Sequence, residues 1–142
     1  MRLPSLGILL GALLCPAIRA AEPPAPAEES CPIDTEGTTR ELRPGGEGKL
    51  VLALLPVPGT HVDPGAPLRI SLSGSPGLKM SRRVLGPKDA VGPRAQGPRF
   101  EVPFTATQRG AQVARARIDF FICSETWCAR QSRDISVAVL VK

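Results

Sequence analysis

The stretch AQVARARIDFFICSETWCARQSRDISVAVLVK, residues 111–142, decides the fold. Apolar residues recur at every second position in two runs within it. The first apolar face consists of Ala114, Ala116, Ile118, Phe120 and Ile122, and the second of Ile135, Val137, Val139 and Val141. A period of two residues indicates strands with one buried face. The two runs flank a short polar loop and therefore predict a β-hairpin.

The two cysteines in this stretch predict the register of the hairpin. If Cys123 and Cys128 face each other across a loop of four residues, Ala116 lies opposite Ile135 and the two apolar faces coincide. Both cysteines then lie on the face opposite to the apolar one. Directly opposed strand residues are close enough for a disulfide, so a bridge at the base of this loop is feasible.

The same register creates one conflict with the pattern. Gln131 and Arg133 would point inward, on the face that carries Val137. This predicts either a β-bulge at that point or an open cleft at that end of the fold.

The rest of the chain also favours β structure. Glycine and proline together make up 30 of the 142 residues, which is typical of a domain with many turns. Further strands are predicted in residues 49–57, 67–74 and 99–106, where Pro103 indicates an edge position or a bulge. No helix is predicted. Together these features predict an all-β, immunoglobulin-like antiparallel sandwich.

The N-terminal region has the pattern of an exported protein. Residues 1–20 combine a positively charged start with a run of ten apolar residues, which predicts a signal peptide cleaved near Ala20. A lipoprotein acylated on Cys15 is the alternative, although Leu14 occupies a position that normally holds a small residue. Residues 21–46 are expected to form a Pro/Ala/Glu-rich linker and an irregular lead-in, and residues 47–142 the domain.

Export determines the expected partners and compartment. Loss of residues 1–20 removes two arginines and no acid, so the net charge falls from +5 to +3. This mild charge does not indicate a nucleic-acid partner. No later segment is long and apolar enough to span a bilayer, so the mature chain is expected to be periplasmic or secreted. Disulfides persist there, and Cys31, Cys123 and Cys128 remain.

Several roles are open to these cysteines and their neighbours. Arg130 would favour a reactive thiolate, and Trp127 is either a hydrophobic lid beside the sulfurs or ordinary packing. His61, the single histidine, either assists proton transfer or is structural. A metal site with Cys31 or His61 as a third ligand lacks a second compact ligand pair, so neither a metal nor a cofactor is predicted. Cys31, beside the linker, is expected to be dispensable for folding.

With these motifs in view, the chain resembles the N-terminal periplasmic domain of the thiol:disulfide interchange protein family DsbD. The resemblance covers residues 47–142 and rests on PGTHVDPGAPLRI (58–70), RFEVPFTA (99–106) and the terminal IDFFICSETWC and ISVAVLVK. It implies an immunoglobulin-like sandwich whose cysteine pair, here Cys123 and Cys128, passes electrons between periplasmic and membrane thiol–disulfide proteins.

Two functions therefore follow from the sequence. The first is a thiol–disulfide exchange protein, an oxidoreductase, that uses Cys123 and Cys128 as catalytic residues with Trp127, Arg130 and His61 shielding or tuning them. The second is an exported immunoglobulin-like binding or structural module whose hairpin disulfide is inert. A bridge that closes only six residues stabilises a fold modestly, by about 2 kcal/mol, which favours the first function.

Overall fold

The computed structural model describes residues 31–92 and 97–142. The predicted signal peptide, the alternative acylation site at Cys15 and residues 21–30 of the predicted linker lie outside the described residues. Within the described ranges, no helix is long and apolar enough to cross a membrane.

The described residues form ten strands and one short 3-10 turn, Pro87–Asp89. The strands are β1 (Ile33–Asp34), β2 (Glu41–Leu42), β3 (Glu47–Leu54), β4 (His61–Val62), β5 (Arg69–Gly74), β6 (Leu78–Met80), β7 (Val84–Leu85), β8 (Arg99–Ala106), β9 (Gly110–Cys123) and β10 (Cys128–Val141). The predicted all-β class is therefore confirmed.

The strands form two sheets packed face to face. One sheet has the order β1-β3-β8-β6, and the other has the order β2-β10-β9-β5-β7, with β4 also paired to β9. Strand β2 runs parallel to β10, whereas the other pairs are antiparallel. The first order corresponds to the ABED sheet of immunoglobulin-like sandwiches, and β10-β9-β5 corresponds to GFC.

Alternating side chains of both sheets fill the space between them. Strand β8 contributes Phe100 and Phe104, β3 contributes Leu50 and Leu52, and β9 contributes Phe120, all at most 1% exposed. Burial of these large apolar side chains, each worth roughly 2 kcal/mol, is the main force that holds the sheets together. In β8 and β9, the core residues are therefore those that recur with a period of two in the sequence.

Residues 31–46, which the sequence assigns to an irregular lead-in, contribute to both sheets. Strand β1 pairs with β3, and β2 pairs with the end of β10. Between these two strands, the Thr38 hydroxyl accepts a hydrogen bond from the Val51 backbone N–H at 2.9 Å. It also donates a hydrogen bond to the Val51 carbonyl oxygen at 3.4 Å. This segment covers the outward face of β3, where Val51 is fully buried.

Pro103 lies in β8, which is flanked by β3 on one side and β6 on the other. Its carbonyl oxygen accepts a hydrogen bond from Ser81, the residue directly after the end of β6 at Met80. The missing proline N–H therefore points to the side on which the neighbouring strand has just ended. The pairing of β8 with β3 is continuous, so the position is edge-like and contains no bulge.

Candidate functional site

The hairpin β9–β10 has the register that the sequence predicts. Cys123 lies opposite Cys128, and Ala116 lies opposite Ile135, in an uninterrupted ladder from the loop to Val141. Both cysteines lie on the outer face, which we define as the face of the larger sheet that points away from the other sheet. The predicted pairing and its side of the sheet are thus confirmed.

A disulfide joins Cys123 and Cys128, whose Cα atoms are 4.0 Å apart. Cys123 is 3% exposed, whereas Cys128 is exposed. The loop between them is closed by a hydrogen bond from the Ser124 N–H to the Trp127 carbonyl oxygen at 2.8 Å. The Ser124 hydroxyl also accepts hydrogen bonds from the Thr126 and Trp127 N–H groups at 3.2 and 3.3 Å. The loop is therefore held by its own backbone and Ser124 as well as by the bridge.

A second segment, β4, lies against the buried half of the disulfide. His61 pairs with Cys123 and Val62 with Ile122, and the Asp63 N–H then donates to the Phe121 carbonyl oxygen at 3.1 Å. This arrangement brings Asp63 Oδ2 to 3.9 Å from Cys123 Sγ. A carboxylate at this distance disfavours a negative charge on the sulfur.

Sequence reasoning did not identify Asp63 as part of the site. The motif Asp63-Pro64-Gly65 does carry a readable turn signal, and the Asp63 side chain accepts a hydrogen bond from the Gly65 N–H at 2.9 Å. The contact with Cys123 depends on β4 pairing with β9 across 60 residues of sequence, which no local pattern shows.

The three residues predicted to shield or tune the pair are all exposed. Trp127 lies in the loop with 46% of its surface exposed. His61 is directly opposite Cys123 on the outer face and also lines an apolar cavity of about 350 Å³ with Val62, Leu68 and Pro98. Arg130 lies on the outer face opposite Phe121, and it makes no ion pair or side-chain hydrogen bond within the described ranges.

The inward-pointing polar residues produce no bulge in the hairpin. The ladder continues through Gln131 and Arg133, and Gln131 is 7% exposed. The Arg133 guanidinium donates to Gln131 Oε1 at 3.1 Å and lies 5.9 Å from the centre of the Phe120 ring. These contacts, including the cation–π contact, allow two polar side chains inside the sandwich.

Cys31 lies in the core and is fully buried. Burial raises the pKa of its thiol from 9.0 to about 11, although the positive charge of Arg133 and the Leu55 backbone N–H both act to lower it. The thiol is therefore neutral near pH 7 and is not bonded to another cysteine. The sequence places Cys31 beside the linker, whereas the structure buries it in the core, and its dispensability for folding stays a prediction.

One group of three potential metal ligands occurs in the described part of the chain, Asp63 with Cys123 and Cys128. The two sulfurs in this group are bonded to each other, so they do not offer the thiolates that zinc requires. Neither Cys31 nor His61 belongs to this group, and the three-ligand arrangement that the sequence left open is not formed.

Fold and site together define the class of this protein as an immunoglobulin-like β-sandwich with a disulfide at the base of its terminal hairpin loop. No protein-family model and no curated protein matches the chain.

Solved structures similar to the chain include three from Bacteroides. A lipoprotein from Bacteroides thetaiotaomicron has 17% identity and a TM-score of 0.42, with 79% of this chain and 80% of that chain covered. A conjugative transposon lipoprotein from Bacteroides eggerthii has 11% identity and a TM-score of 0.42, with coverages of 75% and 93%. A conjugate transposon protein from Bacteroides vulgatus has 14% identity and a TM-score of 0.46, with coverages of 87% and 94%. Similarity this low carries no argument about function.

These comparisons correct the resemblance to the DsbD family. No model of that family's domain matches the chain, and the structurally similar proteins are described as lipoproteins and conjugative transposon proteins. The sequence motifs that suggested DsbD are short strand and turn patterns, which many β-sandwiches share. The identification with that family is therefore wrong.

Proposed function

We propose that the chain is an exported immunoglobulin-like binding or structural module and that its hairpin disulfide is inert. The observation that carries this proposal is the position of Cys123, whose sulfur is buried and lies 3.9 Å from the Asp63 carboxylate. Export is supported by the pattern of residues 1–20 and by a disulfide, which persists in oxidising compartments.

The chemistry of thiol–disulfide exchange explains why this position matters. An incoming thiolate reaches the sulfur of the exposed Cys128 more readily than that of Cys123. Its attack forms a mixed disulfide with Cys128 and expels Cys123 as a thiolate. That leaving group would carry its charge in a buried position beside a carboxylate, which slows exchange. Arg130, which was expected to favour the thiolate, makes no hydrogen bond with either sulfur in the described part of the chain.

A structural role also agrees with what the disulfide holds in place. It ties the ends of two strands of 14 residues each at the loop Ser124–Trp127. Beside this loop the outer face of the sheet carries exposed side chains, among them Arg130 and Ser132. A loop held in place at the end of a sandwich is the type of surface that such folds use for binding.

The redox potential of the Cys123–Cys128 pair tests the proposal. We expect a potential below about −300 mV, the range of structural bridges in exported proteins. Equilibration in dithiothreitol buffers, followed by alkylation of free thiols, measures it, with Cys31→Ala as the background so that two thiols are counted. A potential between about −120 and −270 mV would instead indicate an exchange protein.

The variant Asp63→Asn tests whether the charge of the Asp63 carboxylate slows reduction of the bridge. It keeps the size and hydrogen-bonding capacity of the side chain but removes the charge beside Cys123. We expect excess dithiothreitol to reduce the bridge severalfold faster in this variant, because the expelled thiolate is no longer beside an anion. An unchanged rate would show that Asp63 does not protect the bridge.

A further inference from the structure

The outer face carries a groove next to the hairpin loop. In the cross-strand pairing, Arg69 of β5 lies opposite Asp119 of β9, and Phe121 of β9 lies opposite Arg130 of β10. These four residues and Pro67 line a depression of about 400 Å³, which we call the Phe121 groove. Pro67 and Arg130 are exposed and Phe121 is half-buried, so the floor of the groove is apolar and open to solvent.

The charged side chains of the Phe121 groove that lack an ion-pair partner in the described ranges are both positive. Arg69 and Arg130 are both exposed, and neither makes an ion pair or side-chain hydrogen bond within residues 31–92 and 97–142. The acidic residue that lines the groove is Asp119, and its carboxylate already has partners on β9 and β10. It accepts a hydrogen bond from the Ser132 hydroxyl and lies 3.6 Å from Arg117 Nε.

The two arginines are spaced to fit an extended segment. They lie on strands separated by β9, so they are about 10 Å apart across the sheet and, with an offset of two residues, about 7 Å apart along it. Their Cα atoms are therefore about 12 Å apart on a diagonal that passes beside Phe121. In an extended chain, residues i and i+4 are about 13 Å apart, and residues i, i+2 and i+4 point to the same side.

We propose that the Phe121 groove binds an extended acidic segment of a partner protein with the pattern acid-x-apolar-x-acid. The two carboxylates pair with the guanidinium groups of Arg69 and Arg130, and the apolar side chain packs on Phe121 and Pro67. Arginine is suited to this role because its planar fork donates two hydrogen bonds to one carboxylate. The inference rests on the proposed function, because it specifies the partner chemistry of the binding module.

Fluorescence anisotropy with labelled peptides tests this inference on the full exported chain. The probe is the capped peptide Gly-Glu-Ser-Phe-Ser-Glu-Gly, and the matched peptides replace both glutamates by glutamine or the phenylalanine by serine. We expect each replacement to weaken binding. Arg69→Gln and Arg130→Gln are each expected to weaken binding of the probe about tenfold, since each removes a charge-assisted pair.

Arg109→Gln is the matched control for the two arginine variants. Arg109 is exposed and precedes β9 at the end of the strand opposite to Cys123, so the same change of net charge is made far from the groove. Thermal melting checks that all three variants are folded. The inference is overturned if the glutamate and glutamine peptides bind equally, or if Arg109→Gln weakens binding as much as Arg69→Gln.

The acidic residues of the chain's own N-terminal segment are the competing occupant. The double variant Glu28→Gln/Glu29→Gln is expected to leave the affinity for the probe unchanged, and a tighter affinity would overturn the inference by showing that this segment occupies the groove. The redox potential decides the proposed function separately. A potential below about −300 mV without peptide binding overturns this inference alone, whereas a potential in the exchange range overturns the proposed function.

Discussion

Cys31 is the residue for which the expectation from the sequence and the position in the structure differ most. It follows a segment rich in proline, alanine and glutamate, and this context predicts a dispensable thiol. In the fold it is fully buried, near Arg133 and the Leu55 backbone N–H. Its thiol is protonated near pH 7 because desolvation penalises the thiolate, and it therefore behaves as a small apolar side chain with little reactivity.

The raised pKa of Cys31 predicts a pH dependence of stability. Between pH 9.0 and about 11 the unfolded chain has lost the Cys31 proton while the folded chain retains it. The free energy of unfolding therefore falls as the pH rises through this window, by about 1.4 kcal/mol per pH unit and about 2–3 kcal/mol in all. The contribution is fully present below pH 9.0 and is lost as the pH passes about 11.

Urea unfolding of the native chain and of Cys31→Ala across this window measures the effect. The variant lacks the titrating thiol, so the difference in unfolding free energy between the two chains should shrink as the pH rises. Lysines and arginines titrate similarly in both chains and cancel in this difference. A difference that stays constant across the window would contradict the assignment.

The hairpin β9–β10 carries the disulfide, and its register can be read from the alternation of apolar residues in the sequence. Its register follows from the alternation of apolar residues, because a slip of one residue would place either Ile118 and Phe120 of β9 or Val137 of β10 on the solvent side. The cysteine pair follows this register and does not impose it. The core residues of the hairpin, rather than its sulfurs, should therefore determine whether it forms.

Removal of the bridge is expected to cost little. The double variant Cys123→Ala/Cys128→Ala should lower the free energy of unfolding by about 2 kcal/mol, as the entropy of closing a short loop predicts, and should still unfold cooperatively. Denaturant unfolding followed by circular dichroism measures both quantities, and the reduced native chain is the control. Loss of cooperative unfolding in either sample would show that the bridge is required for the sandwich.

At the scale of the whole molecule, the N-terminal end of the described chain, residues 31–46, contributes one strand to each of the two sheets. Strand β1 extends the smaller sheet and β2 extends the larger one, so residues 31–46 connect the two layers at their edges. Cys31 is buried within the core, and the half-buried Ile33 and Leu42 pack against it. We therefore expect the folding unit to include these residues, which the sequence assigns to a lead-in.

A comparison of two shortened chains tests this. A chain that starts at residue 31 should unfold cooperatively with nearly the stability of a chain that starts at residue 21. A chain that starts at residue 47 should be at least about 3 kcal/mol less stable, because it loses three buried or half-buried side chains worth about 1–2 kcal/mol each. Thermal and urea unfolding measure the difference. Equal stabilities would place the start of the domain at residue 47.

The sequence by itself determined the β class, the hairpin, its register and the pairing of Cys123 with Cys128. Each of these depends on contacts between residues close in the chain and on a period of two, which side-chain alternation makes visible. Phe121 also had a local signal, since it interrupts the polar residues of the outer face, but nothing nearby indicated a groove around it.

Only the tertiary structure decided the surroundings of the site. Asp63 reaches Cys123 across 60 residues, and Arg69 joins Phe121 and Arg130 because β5 pairs with β9. Exposed residues carry no periodic signature that identifies the strand beside them, since solvent accepts any polar side chain at such positions. The buried faces are constrained by packing along one strand, whereas the outer face is assembled by the pairing of distant strands.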